Sequence, residues 1–293
     1  MNRPLVLLLV TGLAFGCNFP LGKLAVAAGV NPALWAAVIC LGAGLAVGVA
    51  ARLFETSGVV PGIYRYAAIS AVISNVIPLA LTFAAIPHIG SGLAAILVAT
   101  SPVTTAILSM AFRVRPPSPL GLLGIAVGLA GAMTIIVARN AGFAADESSW
   151  LLLATLIPVF LGAGNVYRTV AWPKGAGPMR LGATINLAAV LPLLALAWAV
   201  GGLNLAPLAT IPAIVAGQLV ASTIMYLTFF RLQAMGGPTY LSQIGYVAAA
   251  VGVGVGVSFL GERYPPLVWA GIAVVAAGIG LTTLAQARAP RRA

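Results

Sequence analysis

Gln218, Ser222 and Tyr226 stand at i, i+4 and i+8 in a long, mainly apolar run. That spacing puts an amide, a hydroxyl and a phenol on one helix face. Such groups either line a cavity and hydrogen-bond a polar substrate, or tie neighbouring helices together; the spacing alone leaves both open. Ser74 and Asn75 precede Pro78 in another apolar run. Proline has no N–H to give, so a carbonyl near Ser74 is freed to bind an ammonium group or a neighbouring side chain. Asn18, followed by Pro20, and Asn165, preceded by Pro158, are a third set, suited to substrate binding or to clamping helices, with clamping favoured. Thr100, Ser101 and Pro102 form a fourth, with Thr104 and Thr105 beyond them. Gln243 and Tyr246 complete the candidates, Tyr246 lying deep enough to stack on an apolar or aromatic substrate and hydrogen-bond its polar end. Pro20, Pro78, Pro102 and Pro158 are the expected structural or hinge positions.

These groups are polar but mostly neutral, and the acids are few. Glu55, Asp146, Glu147 and Glu262 all fall in loops or at the ends of apolar runs, so none is a deep proton relay. The one histidine, His88, also falls near a run end. Hydrolases and transferases need a nucleophile with a base, paired acids or a metal cluster, and nothing here supplies one. Cys17 and Cys40 read as small core residues with no metal-binding spacing. No catalytic site, metal or cofactor is expected, and a facilitator is expected over a proton-driven pump.

The surroundings of these residues define the class. The chain of 293 residues is 61% hydrophobic and 6% charged, against roughly 25% charged in an average soluble domain. Its mean hydropathy is +1.09. Lipid is the solvent that suits this surface, and long continuous apolar runs favour helices, which satisfy their own backbone polar groups. Ten spans are expected, near 4–28, 33–51, 62–85, 89–112, 118–138, 149–170, 179–199, 209–232, 237–260 and 265–286, with the break near Pro87-His88 the weakest. With the N-terminus in the cytoplasm, twelve basic residues fall inside: Arg3, Arg52, Arg65, Arg113, Arg115, Arg168, Lys174, Arg180, Arg231, Arg288, Arg291 and Arg292. Lys23, Arg139 and Arg263 fall outside. The asymmetry predicts both termini inside. It also accounts for the net charge of +11 without nucleic acid. Trp35, Trp150 and Tyr264 suit interfacial belts.

The chain also resembles itself. At an offset of 147 residues, Asn18 meets Asn165, Phe112 meets Phe259, and Pro119-Leu120 meets Pro266-Leu267. Gly124-Ile125-Ala126-Val127 likewise meets Gly271-Ile272-Ala273-Val274, and Ala130-Gly131 meets Ala277-Gly278. One residue out of step, Leu81-Thr82-Phe83 meets Leu227-Thr228-Phe229. Two units are expected, 1–140 and 147–288, with a short basic tail at 289–293. Five spans per unit would insert the second unit upside down, and such folds place substrate near the midplane between the halves. The expected fold is therefore all-α, a polytopic membrane protein of two inverted five-helix repeats. The glycines at 124, 128 and 131 and at 252, 254 and 256 follow no strand and precede no phosphate-binding Lys-Ser/Thr, so they are expected to serve close helix packing.

Phe15-Gly16-Cys17-Asn18-Phe19, Ser101-Pro102, and above all Leu260-Gly261-Glu262-Arg263 running into Pro266 and Gly271, give the chain a family likeness. It resembles the EamA-type transporters of the drug/metabolite transporter superfamily, and within them the bacterial aromatic amino acid exporters. The first half departs from the pattern, with Arg113-Val114-Arg115 where Gly-Glu-Arg would stand. The resemblance implies ten spans, both termini cytoplasmic, and export of neutral or aromatic amino acids or related metabolites across the bacterial inner membrane. A sugar-phosphate or nucleotide-sugar exchanger is the alternative; it would need cations in the cavity, and Lys23, Arg65, Arg168 and Arg231 are the candidates. A non-transporting membrane scaffold is the other. The partners expected are a small-molecule substrate and the bilayer, for a chain taken as a monomer.

Overall fold

The structure, a computed structural model, describes residues 3–55, 60–114, 118–140 and 145–288. The expected basic tail at 289–293 and the breaker Pro116-Pro117 lie outside them. Every regular element described is a helix. Among the described residues, seven stretches are long and apolar enough to cross a bilayer: Leu5–Ala27, Pro32–Phe54, Ile63–Ile89, Ser91–Ala111, Ser148–Val170, Pro178–Gly201 and Pro212–Met235. Shorter apolar helices, Pro119–Gly131, Ile244–Phe259 and Pro266–Thr282, stand where the other three spans are expected. Large apolar side chains such as Leu53, Leu152, Leu191 and Phe259 lie exposed on the outer surface. In water that surface would aggregate; in lipid it is solvated.

In chain order the helices are α1 (Arg3–Ala27), α2 (Pro32–Phe54), α3 (Ile63–Ala71), α4 (Ile77–Ile89), α5 (Ser91–Val98), α6 (Ser101–Ala111) and α7 (Pro119–Asn140). They continue with α8 (Ala145–Ala154), α9 (Leu156–Val170), α10 (Pro178–Gly201), the one-turn α11 (Ala206–Thr210), α12 (Pro212–Ser242), α13 (Ile244–Phe259) and α14 (Pro266–Arg288). Several crossings are interrupted rather than straight. A π-helical turn, Val72–Val76, joins α3 to α4 just before Pro78. The fourth crossing breaks at Ala99-Thr100 and the sixth at Thr155. The break near His88 is a genuine one: α4 ends at Ile89, and Gly90 turns the chain with φ +84, a conformation that glycine adopts without strain. His88 itself stacks on Trp150 at 4.5 Å between ring centroids.

Helical structure runs on through Gly236-Gly237-Pro238, where the eighth and ninth spans are expected to part, and breaks at Gln243. A proline removes one helical hydrogen bond and bends a helix without having to end it. Trp35, expected in an interfacial belt, is wholly buried in the protein core, so its ring does not face lipid.

Both acids whose surroundings are described cap the start of another span. Glu55, just beyond α2, accepts from the backbone N–H groups of Met179 (2.8 Å) and Arg180 (2.9 Å) at the first turn of α10. Glu262, in the turn after α13, accepts from the N–H groups of Ser91 (2.8 Å) and Gly92 (3.1 Å) at the start of α5. It also takes the Ser91 hydroxyl at 2.6 Å, the Tyr264 hydroxyl, and a salt bridge from Lys23 at 2.7 Å. Orphan N–H groups and the positive end of the helix dipole make these fitting places for a carboxylate.

Glycines set the closest crossing, between α7 and α14. A Cβ at Gly278 would lie 2.5 Å from the Gly128 nitrogen and 2.6 Å from the Gly124 oxygen. One at Gly131 would lie 2.6 Å from the Val275 nitrogen. Small residues let backbones approach this way in lipid. Gly252 packs likewise on Ala95, but a Cβ at Gly254 would meet nothing within 4 Å, so the packing role expected of that glycine is not present.

Candidate functional site

A cavity opens in the middle of the bundle, lined from α1, the π turn and α4, the α5–α6 junction, α9, α12 and the start of α13. In span terms these are the first, third, fourth, sixth, eighth and ninth. Under the expected repeat these are three equivalent pairs, one member from each half. Its free volume is about 60 Å³. A water needs on the order of 10–15 Å³ on that measure, so the space is narrow and would have to widen around a metabolite.

The wall is largely aromatic. Phe15 and Phe19 of α1 lie 5.5 Å apart, centroid to centroid. Across from them Tyr226, Phe229 and Phe230 of α12 form a cluster, with Phe229 edge-on to Phe230 at 5.2 Å. Phe83 of α4 closes another side.

The polar groups stand in two sets. Around the π turn, the Asn75 amide donates to the Asn186 carbonyl oxygen (3.1 Å) and the Tyr226 hydroxyl (3.2 Å). Asn186 in turn donates to the Gly182 carbonyl at 2.9 Å. π turns recur at functional sites because they re-aim side chains; here Ser74 and Asn75 face inward together. The buried Ser74 hydroxyl has no hydrogen-bond partner among the described residues.

The second set surrounds Arg168, which is 3% exposed. Its Nη2 donates to Asn165 Oδ1 at 2.7 Å and its Nε to Gln233 Oε1 at 3.1 Å. Its guanidinium carbon sits 5.1 Å from the Phe229 centroid and 6.0 Å from that of Phe230. Neutral acceptors and ring faces thus hold a buried cation, and no carboxylate among the described residues reaches it. This corrects the expectation that Arg168 is a cytoplasmic anchor. Its side chain turns into the bundle because Asn165, one turn earlier, and Gln233 on α12 offer acceptors that lipid would not.

The sequence candidates therefore divide. Asn18, Ser74, Asn75, Ser101, Asn165 and Tyr226 line the cavity, with Pro78. Gln218 does not; its amide donates to Asn18 Oδ1, which ties α12 to α1. Ser222 bonds back to the Gln218 carbonyl at 2.7 Å, and Thr100 to the Leu97 carbonyl at 2.7 Å. Gln243 and Tyr246 are buried but outside the lining, and Tyr246 hydrogen-bonds Thr282 on α14. Of the remaining prolines, Pro20 lies inside α1, Pro102 opens α6, and the Pro158 carbonyl accepts from Thr104 at 2.6 Å.

Gln233 and Asn186, which hold lining residues from behind, and the Phe229-Phe230 pair of the lining were not singled out by residue type and spacing; Arg168 was named only as a cation for the phosphorylated-substrate alternative. A signal existed for the pair, because Phe229 and Phe230 stand at i+3 and i+4 from Tyr226. Asn186 is a lone amide in an apolar run, a costly residue that invites a partner.

The chain is thus a multi-helical membrane protein with a mixed aromatic and polar cavity at its centre. Residues 2–137 match the EamA-like transporter family. Over 211 residues the chain is 29% identical to the uncharacterized inner membrane transporter YedA of Escherichia coli (strain K12), and equally to YedA of strain O157:H7. That match covers 70% of this chain and 66% of YedA. A solved crystal structure shares the fold across 97% of this chain and 98% of its own, with a TM-score of 0.71 at 16% identity.

Proposed function

We propose that this chain is an inner-membrane exporter of neutral or aromatic amino acids, or closely related small metabolites. It would work by alternating access at the central cavity, with both termini in the cytoplasm. The observation that carries this reading is the lining itself: rings from α1, α4 and α12 beside amides, hydroxyls and one guanidinium. Such a wall suits a solute with an apolar body and a compact polar end. The lining comes from equivalent spans of the two units proposed at 1–140 and 147–288, so exchanging the conformations of the units would expose it to each side in turn.

Arg168 is the observation that favours the second reading, a phosphorylated sugar or nucleotide sugar. One cation among so many rings matches a single negative group better than a phosphate dianion. The amino-acid reading is therefore preferred. With no acid in the lining among the described residues, flux is proposed to follow the substrate gradient.

Proteoliposomes preloaded with unlabelled amino acid should accumulate labelled phenylalanine, tryptophan or methionine by saturable counterflow, absent from empty vesicles, at a rate unchanged by an imposed pH gradient. No counterflow of any amino acid, at verified insertion, would sink the amino-acid reading.

A further inference from the structure

We infer that Arg168 and Ser74 form a receptor for the substrate's carboxylate, which makes the substrate class carboxylates with an apolar or aromatic body. This rests on the cavity being the transport site. Two of the guanidinium's nitrogens are occupied, by Asn165 and Gln233, and Nη1 has no acceptor among the described residues. Neither has the Ser74 hydroxyl, on a residue that is 8% exposed. The two lie side by side against Gly164. A Cβ there would run into Ser74 Oγ and stand 3.1 Å from Arg168 Nη1. Two unmet donors, one of them charged, thus converge from α9 and the π turn onto one corner of a largely aromatic cavity.

Buried charge without a counter-charge is costly, and rings and neutral amides offset only part of that cost. A carboxylate entering this corner would accept from both donors and neutralise the cation. Hydrogen bonds to charged partners are the strong ones. No acid is among the described lining residues to neutralise an ammonium group in the same way. The carboxylate is therefore the recognised end and the amine is dispensable. Neutral amino acids are one member of the class, and the corresponding amine-free acids are another.

Three probes separate the contributions: phenylalanine, 3-phenylpropionate (carboxylate alone) and phenethylamine (ammonium alone). Binding to the full-length protein in nanodiscs should be comparable for the first two and at least about a hundredfold weaker for the third. Arg168→Gln should weaken both carboxylates by about tenfold to a hundredfold, the range of a charged hydrogen bond, and Arg168→Lys by less. Ser74→Ala should cost a few-fold. The ligand series on the unaltered protein needs no variant to fold. Phenethylamine binding as well as phenylalanine, or carboxylate binding indifferent to Arg168→Gln in a monodisperse protein, overturns the carboxylate receptor and leaves the exporter reading standing. Binding of none of the three, with counterflow of some other solute intact, overturns the receptor and the aromatic preference together.

Discussion

Gly278→Val is expected to unpack α14 from α7 and to lower the unfolding temperature of the purified protein by several degrees. The groups an added Cβ would strike are backbone atoms, Gly128 N at 2.5 Å and Gly124 O at 2.6 Å. A flexible side chain could turn aside; a helix backbone cannot, so the two helices must part along their length. Overpacking costs about 1–3 kcal/mol, and a backbone collision belongs at the upper end. Close van der Waals packing drives helix association in lipid, so parting the pair removes much of what holds it together. Gly280→Ala on the same helix is the control. A Cβ there meets nothing within 4 Å, and alanine is the better helix former by about 1 kcal/mol, so its stability should hold or rise. Equal unfolding temperatures for Gly278→Val and the parent would mean that the helices do not cross as described.

Glu262→Gln should cost about 2 kcal/mol at neutral pH, because it removes the salt bridge to Lys23 and weakens the cap on α5. Burial alone would raise the pKa of this carboxyl. The hydrogen bonds from Lys23, Ser91 and Tyr264 outweigh burial and hold it down at about 2. A carboxyl whose folded pKa lies below its unfolded value adds stability that is fully present above the unfolded value, near 4.5, and is lost as pH falls towards about 2. The difference in unfolding temperature between parent and Glu262→Gln should therefore be constant above about pH 5 and shrink between pH 4.5 and 2. A difference that does not change across that window would show that the ionised carboxylate is not what holds α5.

The same carboxylate shows what the sequence could and could not disclose. Glu262 was legible as the acid of a family-like turn at the end of a span, but not as the cap of a helix 170 residues earlier in the chain. Spans were legible because a bilayer demands long apolar runs, and their interruptions because glycine and proline sit there. Ser74, Asn75 and Tyr226 were legible as inward-facing because polar groups avoid lipid. The rotation of a helix about its axis was not. Tyr246 and Gln243 satisfy the same rule as Tyr226 yet sit outside the lining, because the neighbours of α13 decide where each face points. Arg168, a cavity candidate only for a phosphorylated substrate, read more simply as an anchor for a related reason. A basic residue near a span end reads as an anchor whichever way it turns, and its acceptor Gln233 lies 65 residues away in sequence. Without Arg168 the charge asymmetry still stands at eleven to three.

The central claim is that solute passes through this cavity, and a single cysteine tests it most directly. Ser101 lines the cavity and is 3% exposed. Ser101→Cys, made in a background lacking the two native thiols at Cys17 and Cys40, would be reconstituted, modified with N-ethylmaleimide and assayed for phenylalanine counterflow. The account predicts that modification abolishes counterflow and that phenylalanine slows the modification. Complete modification, verified by mass spectrometry, with counterflow unchanged would contradict it.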